Sequence, residues 1–118
     1  MRRDNVVRDK SFLLAVKIVS VYKFLAADKK EFVMSKQLLR SGTSVGANIR
    51  ESEYAQSKPD FIHKLSISQK ELNETMYWLE LLKTTNYLTE KEFRQVYEQS
   101  EEVMKLLISI LKTSKGIK

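Results

Sequence analysis

Apolar residues recur at spacings of three and four along nearly the whole chain, in four stretches separated by short polar breaks. That period is the mark of amphipathic α-helices. The first stretch runs from about Asp9 to Asp28. On a helical wheel Leu14, Ile18, Tyr22 and Leu25 fall together with Ala15, Val19 and Val21, and Lys10, Lys17 and Lys23 fall opposite. Leu13 and Phe24 lie on that polar side, so the apolar surface is wider than one buried stripe requires. The second stretch runs from about Ser35 to Ala55, with Ser35 as its expected N-cap and Leu38, Val45 and Ile49 as its ridge. Gly42 and Gly46 inside such a helix cost about 1 kcal/mol each relative to alanine. A helix that accepts this gains close approach to a neighbour. A loop over Ser41–Gly46 is the competing reading, and the Leu38/Val45/Ile49 spacing favours helix.

The third stretch opens on Ser57-Lys58-Pro59-Asp60, where a serine cap, a proline in the first turn and an acid at the positive helix end mark an N-terminus. Phe61, Leu65, Leu72, Met76 and Leu79 carry it to Thr84. The fourth opens on Thr89-Glu90-Lys91-Glu92, a capping box in form. Phe93, Val96, Ser100, Val103, Leu107 and Ile110 make its stripe, and Glu90–Arg94 and Glu101–Lys105 are i,i+4 pairs in the favourable order. The tail from Lys112 to Lys118 is expected to fray. Helices predicted at 9–28, 35–55, 58–84 and 89–114, joined by short loops, pack as antiparallel neighbours. The expected fold is all-α: one domain over 1–118, an up-down-up-down four-helix bundle about 30–40 Å long at 1.5 Å per residue.

Composition narrows the chemistry. The chain of 118 residues has no cysteine, one histidine, one proline and three glycines. Lack of cysteine removes disulfides, zinc knuckles, iron–sulfur ligation and thiol catalysis together. A bundle core that holds two iron ions needs Glu-x-x-His from two helices. Asp60-Phe-Ile-His63 has that spacing once, with Asp for Glu, and no second histidine exists. His63 reads as a surface or interface residue near a helix start, with a lone general acid or base as the minor alternative. Ser41-Gly42-Thr43-Ser44-Val45-Gly46 resembles a phosphate loop only superficially, because no lysine follows Gly46 and no strand precedes it. No metal, cofactor or catalytic residue is expected, and the protein is read as not an enzyme. No apolar run approaches the ~20 residues of a membrane span. The basic start before an apolar run is shaped like a signal peptide, but Lys17 and Lys23 interrupt the run, so an ordinary first helix and a cytoplasmic location are expected.

Charge points to a partner. The net charge is +6, and residues 1–30 hold eight Lys/Arg against three Asp. Arg2, Arg3, Arg8, Lys10, Lys17 and Lys23, with Lys36, Arg40 and Arg50 of the second helix, are the candidate phosphate contacts; a solvated charged face is the alternative. Helix three carries a second apolar stripe, Ile67, Trp78 and Leu81, and helix one adds Leu13 and Phe24. Apolar residues left on outer faces mark an oligomer interface; the alternative is that they belong to the core. Asn48 and Glu51 sit at the edge of the second helix's core face and are expected to make polar contacts between helices.

Gln37-Leu-Leu-Arg-Ser-Gly-Thr-Ser-Val-Gly-Ala-Asn-Ile-Arg-Glu51, with Ser41, Gly42, Gly46, Asn48 and Glu51 at its centre, resembles the signature of the four helix bundle protein family, also called the 23S rRNA intervening-sequence protein family. The run from Asp60 to Leu82 and the segment Asn86-Tyr-Leu-Thr89 extend the resemblance over about residues 12–112. The resemblance implies a small bundle often assembled into a ring of five. It also implies kinship with proteins encoded inside ribosomal RNA insertions and with accessory proteins of diversity-generating retroelements, where a basic ring binds nucleic acid and a polymerase. In many members a glycine follows the Asn-Ile-x-Glu segment; here Ser52 and Glu53 stand there, and Glu53 adds negative charge to the candidate phosphate face. The expected function is a homo-oligomer, without catalysis, that binds RNA or DNA. The alternative is a scaffold or adaptor that binds a protein partner through apolar residues.

Overall fold

The computed structural model describes residues 3–116, with side chains from Val6 onward. Four helices follow in order: α1 (Arg3–Ala27), α2 (Met34–Ser52), α3 (Lys58–Thr84) and α4 (Glu90–Ser114). No strand occurs among the described residues. Each helix packs beside its neighbours in chain order, α1–α2, α2–α3 and α3–α4, and α4 closes onto α1. That cyclic pattern is an antiparallel up-down-up-down bundle, 44 × 24 × 23 Å, as the short connections require.

The core follows the predicted stripes. Leu14, Ile18 and Leu25 of α1, Leu38, Val45 and Ile49 of α2, Leu65, Leu72 and Leu79 of α3, and Val96, Val103 and Leu107 of α4 are all buried in one cluster. Ser57 caps α3 by accepting from the Asp60 N–H at 3.2 Å. Thr89 and Glu92 form the reciprocal capping box of α4. Glu90 pairs with Arg94 at 2.6 Å, whereas Glu101 and Lys105 form no ion pair.

The start of α1 and both ends of α2 differ from the sequence reading, α2 ending at Ser52 rather than Ala55. α1 starts at Arg3 rather than near Asp9. The reason is Val7, which is 1% exposed in the core cluster and gives the extra turns a buried anchor. α4 ends at Ser114 as read, and residues 112–114 of the tail expected to fray are helical; Lys115 N–H bonds to the Leu111 carbonyl and Gly116 takes a positive φ of 73°. The end of the predicted fraying tail, Ile117 and Lys118, lies outside the described residues. Ser35 does not cap α2. The helix begins one residue earlier, and its free amides are taken by the carboxylate of Glu31 in the preceding turn: Val33 N–H at 3.1 Å, Met34 at 3.0 Å and Ser35 at 2.7 Å. The Ser35 hydroxyl donates back to the Glu31 carbonyl at 2.7 Å.

The segment Ser41–Gly46 is helical, and its small residues serve close packing. A Cβ on Gly42 would stand 2.8 Å from both Cγ atoms of Ile18. On the other side of α2, Thr75 Oγ1 of α3 donates to the Glu71 carbonyl at 2.9 Å and lies 3.0 Å from Ser41 Oγ. Ser68 Oγ donates to the Val45 carbonyl at 2.7 Å. Hydroxyls buried at this seam are thus satisfied, as low-dielectric burial demands. Gly46 is less confined: its Cβ would meet Ser11 O and Oγ at 3.4 Å, ordinary contact. Gly46→Ala is therefore expected to stabilise the fold by up to about 1 kcal/mol, the helix-propensity difference, seen as a higher urea midpoint. A lower midpoint would show that Ser11 has no room to accept a methyl group.

Candidate nucleic-acid interface

The bundle sorts the predicted cations into paired and unpaired. Arg40 projects from α2 onto α3, where Nη1 lies 3.1 Å from Glu71 Oε2 and Nη2 bonds Glu74. The Trp78 indole N–H also donates to Glu74, at 3.0 Å. That indole bond, with the Arg40 guanidinium second, holds the Glu74 carboxyl below the usual carboxylate range. Arg8 lies 3.6 Å from both Asp9 and Glu53. Lys10 pairs with Glu102 at 3.2 Å, and Lys17 Nζ donates to Gln95 Oε1 at 3.3 Å. Each of these charges is at least partly answered within the chain. Lys23, Lys36 and Arg50 are exposed and form no ion pair among the described residues. Arg50 instead lies 5.6 Å over the Phe12 ring, the geometry of a cation–π contact. Arg2 and the side chain of Arg3 lie outside the described residues.

The structure adds cations that averaging along the sequence hid. Lys29 and Lys30 stand exposed in the α1–α2 turn, between Lys23 and Lys36. Nearby Asp28 is exposed, but Glu31 is buried on the backbone amides and offers no side-chain partner to these lysines. At the opposite end, Lys105, Lys112 and Lys115 follow the last acid of the chain, Glu102. In a thirty-residue window their charge is cancelled by the five acids of the first half of α4. A doublet of lysines in a predicted turn and an acid-free helix end were the signals available.

The predicted apolar contacts also divide. Leu13 is 56% exposed and stands with Phe12 and Val16 on the outer face of α1. Phe24 and Trp78 pack against the core, and Ile67 and Leu81 are half-buried. The α3 stripe is therefore not the open apolar face the sequence suggested, because the Arg40–Glu74–Trp78 bridge from α2 covers part of it. Between α1 and α2 runs a shallow groove of about 240 Å³ lined by Arg8, Ser11, Phe12, Thr43, Gly46 and Arg50.

Of the two polar residues at the edge of α2, Glu51 does reach another helix, pairing with Lys64 of α3 at 3.2 Å. Asn48 does not: its Nδ2 donates within its own helix, to the Ser44 carbonyl at 2.9 Å. His63 is exposed on α3. No group of three His, Asp or Glu among the described residues is placed to hold a metal ion, and none of their helices is long and apolar enough to cross a membrane.

A crystal structure of a protein of unknown function from the S23 ribosomal protein family of Bacteroides thetaiotaomicron VPI-5482, at 1.70 Å resolution, is 61% identical. The match covers 94% of this chain and 99% of that one, with a TM-score of 0.93. Comparison with curated proteins gives no significant match. The family description "23S rRNA-intervening sequence protein" matches residues 3–109, and with that span covering α1 to α3 and most of α4 the chain belongs to this family.

Proposed function

We propose that the protein is a homo-oligomeric, non-catalytic helical bundle of the cytoplasm that binds nucleic acid through its unpaired surface cations. The observation that carries this reading is the separation of charges: Lys23, Lys29, Lys30, Lys36 and Arg50 are exposed with no carboxylate partner among the described residues. Cations held for stability are expected to find acids, as Arg40 and Lys10 do. Cations left open suit an external polyanion. Changing Lys23, Lys36 and Arg50 together to alanine is expected to make the log–log salt dependence of RNA binding shallower by roughly 2, at about 0.7–0.9 per lost phosphate contact. Lack of any binding at ~50 mM salt would remove the nucleic-acid reading altogether.

Assembly is assigned to the outer face of α1, where Phe12, Leu13 and Val16 expose large apolar side chains side by side. A ring of five is the expected form. Leu13→Asp with Val16→Asp is expected to reduce the solution mass to 13.8 kDa, as measured by light scattering. If the unmodified protein already has that mass, the same face instead favours the second reading, an adaptor that docks a protein partner.

A further inference from the structure

The turn between α1 and α2 exposes two apolar side chains that it could have buried. Phe32 is 51% exposed and Val33 74%. They are not swept out by a loose loop. The neighbouring Glu31 is only 8% exposed, with its carboxylate on three successive amides and its own N–H on the Leu25 carbonyl at 3.0 Å. Lys30 holds a left-handed φ of 55°, which lets the chain reverse so that Glu31 points in and its neighbours point out. The turn is thus anchored by its acid and presents Phe32 and Val33 at a fixed place. Lys29 and Lys30 precede them, Lys36 follows, and all three are exposed without an ion pair among the described residues, Lys29 lying 5.8 Å over the Phe24 ring.

We propose that this turn is a contact for unpaired nucleotides, with Phe32 stacking on a base and Lys29, Lys30 and Lys36 on the flanking phosphates. The inference rests on the nucleic-acid reading above and specifies its target. An aromatic ring beside several cations matches the alternation of base and phosphate along a single strand, and stacking tolerates any sequence because every base has a flat face. Duplex sequence is read by hydrogen bonds to base edges, and the most prominent aromatic of this turn, Phe32, has no group to make one but has a flat face that an unstacked base can meet. A lipid surface is the poorer fit, because one Phe and one Val bury little apolar area against a bilayer and stable anchoring needs more. The amides of the α2 N-terminus take no part, since Glu31 already occupies them.

The test is binding of the full chain to a labelled oligouridine and to a duplex RNA of equal length. Phe32→Ala is expected to weaken oligouridine binding about tenfold, with little change for the duplex, an unchanged salt slope and an unchanged melting temperature. Phe32→Trp is expected to restore it. Changing Lys29, Lys30 and Lys36 to alanine is expected to make the oligouridine salt slope shallower by roughly 2. If the parent protein binds oligouridine and Phe32→Ala binds equally well, the turn is not the contact, while the broader reading stands. If Phe32→Ala instead abolishes binding to phosphatidylserine vesicles and spares oligouridine, the partner is a membrane and the inference is overturned. If the parent binds neither RNA, both readings fall together.

Discussion

Gly42→Val is expected to lower the melting temperature by about 10 °C. The position is buried, and even a single Cβ would approach Ile18 Cγ1 and Cγ2 to 2.8 Å and Ile18 Cβ to 3.2 Å. Ile18 is itself fully buried against Leu14, Leu25 and the rest of the core cluster, so it has no free rotamer to escape into. Overpacking of this kind costs typically 1–3 kcal/mol, and a branched side chain at a helix–helix seam belongs at the upper end. About 3 kcal/mol in a domain of this size shifts the midpoint by roughly 10 °C. A cycle isolates the cause. In an Ile18→Ala background the clashing atoms are gone, and Gly42→Ala should then cost less than it does beside Ile18, a coupling of contacting residues. Equal costs in both backgrounds would show that Gly42 is kept for some reason other than the approach of α1 to α2.

Glu31→Ala is expected to cost about 2 kcal/mol, the upper range for loss of a helix cap. Three amides lose one acceptor, and they lie at a turn with no other acid in the first turn of α2. The effect depends on pH with a definite sign. Burial pushes the Glu31 carboxyl up, but hydrogen bonds from Ser35, Met34 and Val33 outweigh it and hold the group below its ordinary value of 4.5. A carboxyl depressed in the folded state contributes stability above the unfolded value and loses it as pH falls through the folded one. The gap in urea stability between the parent and Glu31→Gln should therefore be open at pH 7 and narrow as the solution is acidified below about 4.5. A gap of constant size down to pH 2 would mean that the charge of Glu31 does nothing at the α2 terminus. The same variant loosens the anchor behind Phe32, so it should also weaken the preference for unpaired RNA.

Local signals marked the fold clearly because each is carried by residues within a turn or two of one another. Ser57 and Thr89 cap the helices they were expected to cap, and the spacing of Leu38, Val45 and Ile49 correctly favoured a helix through Gly42 and Gly46. Even there one local device is invisible in the sequence. Glu31 acts as a cap from outside the helix, and nothing in Glu31-Phe-Val-Met-Ser35 distinguishes a buried acid from a solvated one until the turn is folded. The candidate interface was harder to read for the same reason. Arg40 was an obvious phosphate contact by its place on the polar face of α2, yet its partners Glu71 and Glu74 lie 31 and 34 positions away. Trp78 looked like an open interface residue by its wheel position, yet it packs on the core and bonds Glu74.

What the amino-acid order determined alone is the set of four helices, their ends to within a few residues except for the start of α1, their antiparallel sequence and the side of each that faces inward. All of these follow from periodicity, capping chemistry and short connections, which act over distances of a few residues. What only the packed bundle decided is which surface groups remain free. A charge is available to a ligand only if no opposite charge is brought to it, and that depends on which helix becomes the neighbour and at what rotation. So Arg40 was spent on α3, Lys23, Lys36 and Arg50 were left open, and Phe32 and Val33 were turned outward by an acid that folded in beneath them.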